Sequence, residues 1–578
     1  MLSRSLPSCA FRRAAGAAGA AALALAVVAG AAFANANAGT AAAAAGTADA
    51  ALLAPAAAPS IAELRADRAR NIVLPQSDLH YRETQRYIED IPDADYVHAT
   101  AAAHESFRDI KFSVRIIWGL YSKWGIEASW PFLNWNNEKR ARYNELYKTF
   151  NPVHFDADGW MDFFSRCGMQ AFAFICKHHD GFAFWHTKTR VKQRYNYTTG
   201  ALEPCDIAYS IEDTPFKRDI VKELCDAARK RGIKIDLYFS HPDWYDADFR
   251  PYNYHPLATP DVRANPRDYY NAHGGNRRRT ILTPERTPEE TARLVARHRE
   301  QIHELLTNYG PIEAMCLDQW LGRDNWPHMR ETVKLMRKWA PNTLFRARGI
   351  GNYGDYFQPE QFVPGKKENT GMPWMSICLL AKQFSYDPNP KNYKGTAWVV
   401  RNLVDCVAKG GSFMVCLGPD ELGRFHPKAV EQLEAVGAWL RVNGEAIYNT
   451  TPRKSVWREG AFKFTLAKDA KHFYALTDKW PENNTFTLTS FAAPPANSKV
   501  FLLGYDKPLE WKPARGSGQW SVASGQWSVD SGQKNNAGGG AGAGGKAVGA
   551  VVTLPAELAD PARRPCKDMW AFKFTAGE

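Results

Sequence analysis

The amino-acid sequence predicts an α/β protein, a (β/α)8-like barrel followed by a C-terminal β-sandwich, and three observations carry that expectation. Up to about residue 452, amphipathic helical segments alternate with short, continuously apolar runs, the texture of a parallel sheet covered on both faces. The stretch Gly310 to Trp320, GPIEAMCLDQW, sets a Gly-Pro break before a buried run that ends in a single carboxylate, Asp318, at the strand end where barrel proteins gather their reactive groups. After Thr451-Pro452 the pattern changes to short alternating runs such as Phe462 to Leu466, His472 to Leu476 and Val500 to Leu503. An open doubly wound sheet is the competing architecture. No G-x-G-x-x-G or P-loop opens the first turn, and some 350 residues of repeated units fit the barrel better.

Taken in order, Phe112 to Trp118 reads as the first strand. A helix over Trp160 to Arg166, capped by Asp156 or Asp158 and stopped by Gly168, precedes a strand at Ala171 to Cys176. Thr214-Pro215 opens a helix whose apolar face carries Ile220, Val221, Leu224, Cys225 and Ala228, and Ile233 to Ser240 follows as a strand. Thr287-Pro288-Glu289-Glu290 forms a capping box for the helix that Gly310 ends and that feeds the Asp318 strand. Helices over 327–339 and 397–408 feed strands at Thr343 to Arg346 and Phe413 to Leu417, and a helix over 427–442 closes the series.

The domain reading is a signal peptide over residues 1–34, an Ala/Pro-rich leader over 35–80, the barrel over 81–452, and the sandwich over 453–578 with a Gly/Ala-rich insertion at about 515–550. The first segment has a basic start, an Ala/Leu/Val-rich run and Ala32-Phe33-Ala34 as a cleavage site, so export to the periplasm or the exterior is expected, with no membrane attachment after cleavage. The leader has too little apolar surface to offset the cost of ordering. Ser517 to Ala523 is repeated as Ser524 to Asp530, a local duplication too short to build a solenoid.

The formal charge of +12 falls to +9 once Arg4, Arg12 and Arg13 are removed with the signal segment, and the basic residues are scattered among acids. Nucleic-acid binding is therefore not expected. Nine cysteines remain after cleavage, several on predicted strands, and mostly free buried thiols, with at most a bridge or two, are expected. No C-x-x-C pair suggests zinc, and no cofactor is expected.

Lys177 to Phe182, KHHDGF, ends the second strand. Adjacent strand residues point to opposite sides, so His178 and His179 share a metal only if the backbone turns there; donors to sugar hydroxyls fit the same residues, and a metal hydrolase using His178, His179 and Asp180 is the competing reading. Tyr238 to Tyr245 gives an aromatic and polar rim to the third strand, and Trp118, Glu127 and Trp130 follow the first. Beyond Arg346 and Arg348 lies Glu360. With Asp318 it supplies the two carboxylates that glycoside hydrolysis requires.

These segments resemble the α-L-fucosidases of glycoside hydrolase family 29. The matching stretches are WGLYS from Trp118, KHHDGF from Lys177, LDQW from Leu317, GDYFQPE from Gly354, LVDCVAKGG from Leu403 and NGEAIYNTTP from Asn443. The resemblance implies a barrel and sandwich, no metal, a carbohydrate substrate, and a retaining mechanism through a covalent fucosyl-enzyme. It implies Asp318 as nucleophile and Glu360 as acid/base, with Glu368 as second choice. It implies Trp118, Glu127, Trp130, His178, His179, Tyr238, Arg348 and Trp374 as substrate-binding residues. Three positions depart from the family pattern: Ile117 stands where a His is usual, Met375 where many members have Glu, and Cys316 where a Trp precedes the nucleophile. A catalytically degenerate barrel that binds sugar without cleaving it is the alternative that these departures motivate.

Overall fold

The computed structural model describes residues 88–89, 91–250, 255–257, 284, 286–318, 325–364, 372–453, 456–514, 520–523, 526–529 and 548–576. The expected signal peptide and leader, Glu368, and nearly all of the Gly/Ala tract lie outside the described residues.

Helix α1 (Ala101–Arg108) leads into β1 (Phe112–Ile116), and α2 (Asn137–Asn144) and α3 (Ala157–Arg166) precede β2 (Ala171–Lys177). Asp156 caps α3 by accepting from the Gly159 amide, as its position before an apolar face predicts. A hairpin, β3 (Val191–Asn196) with β4 (Ala201–Ile207), then leaves the barrel, and α4 (Ile220–Lys230) leads to β5 (Lys234–Ser240). The helix start predicted at Thr214-Pro215 is corrected here. Ser210 caps a single 3-10 turn that ends at Thr214, and α4 begins only at Ile220, with the Asp219 side chain accepting from Lys222 N. Helix α5 (Pro288–Thr307) carries the expected Thr287–Glu290 capping box and feeds β6 (Ala314–Asp318). Then come α6 (Trp326–Trp339), β7 (Leu344–Phe345), β8 (Met375–Leu379), α7 (Thr396–Ala408), β9 (Ser412–Leu417) and α8 (Pro427–Asn443).

The seven strands form one parallel sheet in the order β7-β6-β5-β2-β1-β9-β8. An irregular segment closes it. Ala347 N–H donates to Tyr356 O (2.8 Å) and Asp355 N–H to Phe345 O (2.8 Å) on the β7 side; Met375 N–H donates to Phe357 O (3.1 Å) and Ile377 N–H to Pro359 O (2.9 Å) on the β8 side. Residues 355–361 are thus the eighth stave of the barrel, made of single bridges rather than a ladder. All residues of β1, β2, β6, β8 and β9 are buried, which is why β2, β6 and β9 read as nearly continuous apolar runs.

The C-terminal part is a nine-stranded antiparallel sheet in the order β10 (Thr450–Pro452), β12 (Phe462–Ala467), β13 (His472–Thr477), β20 (Trp570–Thr575), β15 (Val500–Leu502), β16 (Pro508–Pro513), β19 (Val548–Thr553), β14 (Thr485–Ala492), with β11 (Arg458–Glu459) paired to β12. It folds over on itself, so that Phe486 on β14 meets Phe462 (ring centroids 4.8 Å) and Phe572 (4.7 Å) from the other half. The duplicated heptapeptide pairs as β17 (Trp520–Ala523) with β18 (Gln526–Val529). Trp439 of α8 donates to Met569 O (2.8 Å), and Glu445 accepts from Tyr474 OH (2.8 Å), joining barrel to sandwich. All nine cysteines of the described residues are free.

The eighth stave is held by Asp355. Its fully buried carboxylate accepts from Arg337 Nη2 (2.5 Å), Phe345 N (2.8 Å), His98 Nδ1 (2.9 Å) and Ala99 N (3.1 Å). Removing it strands a guanidinium that is 8% exposed. Asp355→Ala is expected to cost about 3–5 kcal/mol, read as a lowered urea midpoint, whereas Lys428→Ala, at an exposed i,i+3 ion pair, changes stability by under about 1 kcal/mol.

Candidate active site

The register brings three strand ends together. Ser240, the last residue of β5, pairs with Asp318, the last of β6, and Lys177, which ends β2, pairs with Phe239. His178 and His179 therefore emerge beside Tyr238 and Asp318, at the C-terminal mouth of the barrel. Gly181, at φ +85°, turns the chain back, and a Cβ there would sit 2.2 Å from Asp243 Oδ1. Asp180 is carried away from the mouth and accepts from Tyr143 OH (2.5 Å). Among the described residues no three His, Cys, Asp or Glu side chains are grouped to hold a metal ion.

The mouth opens into a cavity of about 460 Å³ lined by Arg115, Ile117, Ala128, Trp130, Ile175, His178, Tyr238, Asp318, Arg348, Glu360 and Phe384. One guanidinium joins its two carboxylates: Arg348 Nη1 lies 2.6 Å from Asp318 Oδ1, and Nη2 lies 3.1 Å from Glu360 Oε2. Tyr238 OH donates to Asp318 Oδ2, and His179 Nε2 is 3.9 Å from the same oxygen. Asp318 is nearly closed off, at 7% side-chain exposure, while Glu360 is 27% exposed.

Burial alone raises the Asp318 pKa, but the Arg348 charge, His179, Arg346 and the Tyr238 hydroxyl outweigh it and hold the carboxyl well below the usual range. Burial pulls His178 well below the ordinary imidazole value and His179 down to about 4, with Asp318 opposing in each case. Both are thus neutral hydrogen-bonding groups at pH 7. Their Nδ1 atoms are engaged, His178 with Ser129 Oγ and His179 with Ser240 Oγ (2.5 Å), which fixes the rings. Trp130 stands edge-on to His179 with centroids 4.5 Å apart.

Of the residues expected from sequence, Asp318, Glu360, Trp130, His178, Tyr238 and Arg348 meet at the cavity, and His179 lies directly behind Asp318. Glu127 is set just outside the lining. It accepts from Phe384 N (2.9 Å), and burial lifts it to about 7 against that hydrogen bond, with Asp387 and Glu360 adding to the rise.

Two expected substrate-binding residues are placed elsewhere. Trp118 is fully buried among Phe150, Phe155, Trp160 and Phe184, and its indole N–H is taken by Asp420 O (3.0 Å). Trp374 precedes β8 at the opposite end of the barrel, stacked on Phe357 and filling the space that a side chain at Gly411 would need. Met375 is buried at that same far end, beside Ser113 Oγ (3.5 Å), so its identity does not alter the mouth.

Arg115, Ala128, Ile175 and Phe384 are the lining residues that the sequence did not bring forward as site residues. Arg115 had a signal: one charge inside the apolar run FSVRI. It donates to Gln358 Oε1 (2.8 Å) and lies 4.0 Å from Asp236 Oδ2, and Arg346 Nη1 meets Cys316 Sγ (3.1 Å), so the floor beneath Asp318 is a buried polar layer.

Residues 82–445 match the family model described as Alpha-L-fucosidase, and residues 449–530 match the model described as Alpha-L-fucosidase C-terminal domain. The tissue alpha-L-fucosidase of Bos taurus is 27% identical over 461 residues, 75% of this chain and 86% of the relative. The fold is similar to that of alpha-L-fucosidase isoenzyme 1 from Paenibacillus thiaminolyticus, at 23% identity and TM-score 0.61, covering 82% of this chain and 100% of that one. It is also similar to a Bacteroides thetaiotaomicron alpha-L-fucosidase trapped as a covalent intermediate, at 19% identity and TM-score 0.60, covering 84% and 98%.

Replacing Arg348 by Met removes the charge that most strongly opposes burial at Asp318, so its pKa is expected to rise. Because the native value is depressed, the stability Asp318 contributes is present above its unfolded pKa and lost as pH falls through the folded one; in the variant that contribution is smaller and its loss is complete at higher pH. Infrared difference titration against Asp318→Asn reads the carboxyl directly, and an unmoved band contradicts the assignment of Arg348 as its main stabiliser.

Proposed function

Because the chain belongs to the alpha-L-fucosidase family of glycoside hydrolases, we propose that it is an exported, retaining exo-glycosidase that removes terminal α-L-fucose from oligosaccharides or glycoconjugates. The observation that carries this reading is the single Arg348 guanidinium bridging Asp318 and Glu360 at the cavity. Two carboxylates on adjacent nitrogens of one planar group fit the short spacing, about 5 Å, of double displacement. Export rests on the basic start, apolar run and Ala32-Phe33-Ala34 site of the first 34 residues. Among the described residues no helix is long and apolar enough to cross a membrane.

In the first step an Asp318 oxygen bonds to the anomeric carbon while Glu360 passes its proton to the departing glycosidic oxygen. In the second, Glu360 takes a proton from water, the water oxygen bonds to the anomeric carbon, and the Asp318 ester breaks. Tyr238 and Arg348 hold the nucleophile ionised and oriented. Neutral His178 offers its Nε2 to a sugar hydroxyl, and neutral His179 backs Asp318 without competing for the carboxylate's charge. The alternative of a sugar-binding barrel without turnover drew on Met375 as well as Ile117, and Met375 lies far from the mouth, which weakens it. Ile117 does line the cavity, beside Ala128 and Phe384, and gives it an apolar wall.

Asp318→Gly is expected to lower turnover of an aryl α-L-fucoside by about 10⁴-fold; full activity rules out Asp318 as nucleophile. Glu360→Ala is expected to slow substrates with poor leaving groups by about 10²–10⁴-fold, to spare activated ones, and to yield a glycosyl azide when azide is added. Failure to form the azide product places the acid/base elsewhere.

A further inference from the structure

Part of the cavity lining comes from two loops rather than from strand ends. Ala128 and Trp130 belong to the loop after β1, and Phe384 to the loop after β8. Those strands are not neighbours, because β9 lies between them. The loops therefore meet by crossing over the end of β9, and Gly418, just beyond it, makes the room: a Cβ there would sit 2.2 Å from Ile117 O and 2.8 Å from Tyr386 N. Where they meet, one hydroxyl serves both. Ser385 Oγ accepts from Ala128 N (3.1 Å) and donates to Ile126 O (2.5 Å). Beside it, Phe384 N donates to Glu127 Oε2 (2.9 Å) and Gln383 Nε2 to Gly125 O (3.3 Å). Asp387 stiffens the loop that presents the hydroxyl, accepting from Lys382 N (3.2 Å) and Asn389 N (3.0 Å).

What this hydroxyl holds is a strained backbone. Ala128 has φ +41°, a left-handed conformation that a residue with a Cβ avoids unless its surroundings impose it. Ser385 is 2% exposed and Ala128 1%, so loss of the hydroxyl leaves a buried amide without its partner and the strain without its restraint. The turn at Ala128 directs the next two residues. Ser129 is fully buried with its hydroxyl on Nδ1 of His178, and Trp130 lines the cavity edge-on to His179. Relaxing Ala128 to a negative φ redirects both.

We infer that Ser385 is a positioning residue for the sugar pocket, acting through Ala128 on Trp130 and on the hydroxyl that orients His178. On the glycosidase reading given above, its effect falls on binding rather than on bond breaking, because Asp318, Arg348 and Glu360 stand on other staves of the barrel. Ser385→Ala and Ser385→Thr in the full-length protein test this with an aryl α-L-fucoside, and a thermal melt establishes that each variant is folded. Ser385→Cys, which keeps the size and weakens both bonds, replaces Ser385→Ala if that variant does not fold.

In Ser385→Ala, KM is expected to rise about tenfold, with kcat within about threefold of wild type. Ser385→Thr, which keeps the hydroxyl, is expected to bring KM back to within about threefold. The crystal structure of Ser385→Ala is expected to show Ala128 at a negative φ and Trp130 moved. An unchanged KM in the folded variant, a loss confined to kcat, or Ala128 still at positive φ with Trp130 in place each overturns the role of Ser385. A wild-type protein inert toward fucosides counts instead against the glycosidase reading, and the crystal structure of the variant then decides the role of Ser385 by itself.

Discussion

The site depends on one positive charge serving two negative ones. Arg348 reaches Asp318 at 2.6 Å and Glu360 at 3.1 Å, and the difference in contact is matched by a difference in setting: Asp318 is sealed beneath Tyr238 and His179, whereas Glu360 keeps a face toward solvent. A carboxylate at the bottom of a closed barrel would neutralise itself if it stood alone, because desolvation disfavours its charge by several kcal/mol. The guanidinium removes that choice for Asp318. Glu360 is held less closely and keeps a face open to water. The same interaction thus gives two chemically identical groups different surroundings.

An ion triad of this kind is stable only if the structure around it is equally well supplied. Beneath it, Arg115, Asp236, Arg346 and Gln358 form a layer of charge and amide inside the barrel, where apolar packing is the simpler solution. Beside it, Lys177, Asp243, Arg297 and Gln301 make a second buried network that pins the segment after β5 to α5. That segment supplies Trp244, stacked near His179 and Phe132, so the network fixes the aromatic wall as well as the backbone. Breaking one partner of such a network leaves an uncompensated charge, and this makes the arrangement rigid even where its net contribution to stability is small.

Much of this was legible in the sequence because the barrel writes itself in a simple code. Apolar runs such as AFAFIC and AMCLD are strands buried on both faces, Thr287 to Glu290 spells a helix start, and a carboxylate after such a run marks the strand end. What escaped did so for physical reasons. Strand β8, MSICL, is short and follows a polar stretch, so no periodicity announces it. Residues 355–361 pair through isolated bridges and carry Pro359, which breaks any strand pattern. The start of α4 was misplaced because Thr214-Pro215 has the chemistry of a cap, and here that chemistry ends a 3-10 turn instead. Trp118 and Trp374 show a different limit: a tryptophan beside a recognisable motif can belong to the packing that supports the motif, and only the fold distinguishes the two. Arg115 was visible as a lone charge in an apolar strand, a pattern whose meaning depends on which neighbours the barrel supplies.

The irregular eighth stave has a consequence for how such a protein can change. Seven staves are locked to their neighbours by ladders in which a one-residue shift would turn every side chain inside out. The stave that carries Glu360 is attached by a few separate hydrogen bonds and by Asp355 at its base. Its length and path can therefore vary between lineages without re-registering the barrel. Glu360, the proton donor we propose, is mounted on the most evolvable part of the wall and Asp318, the nucleophile we propose, on one of the least, so the fixed point of such a reaction can be inherited while its partner is repositioned to suit new leaving groups.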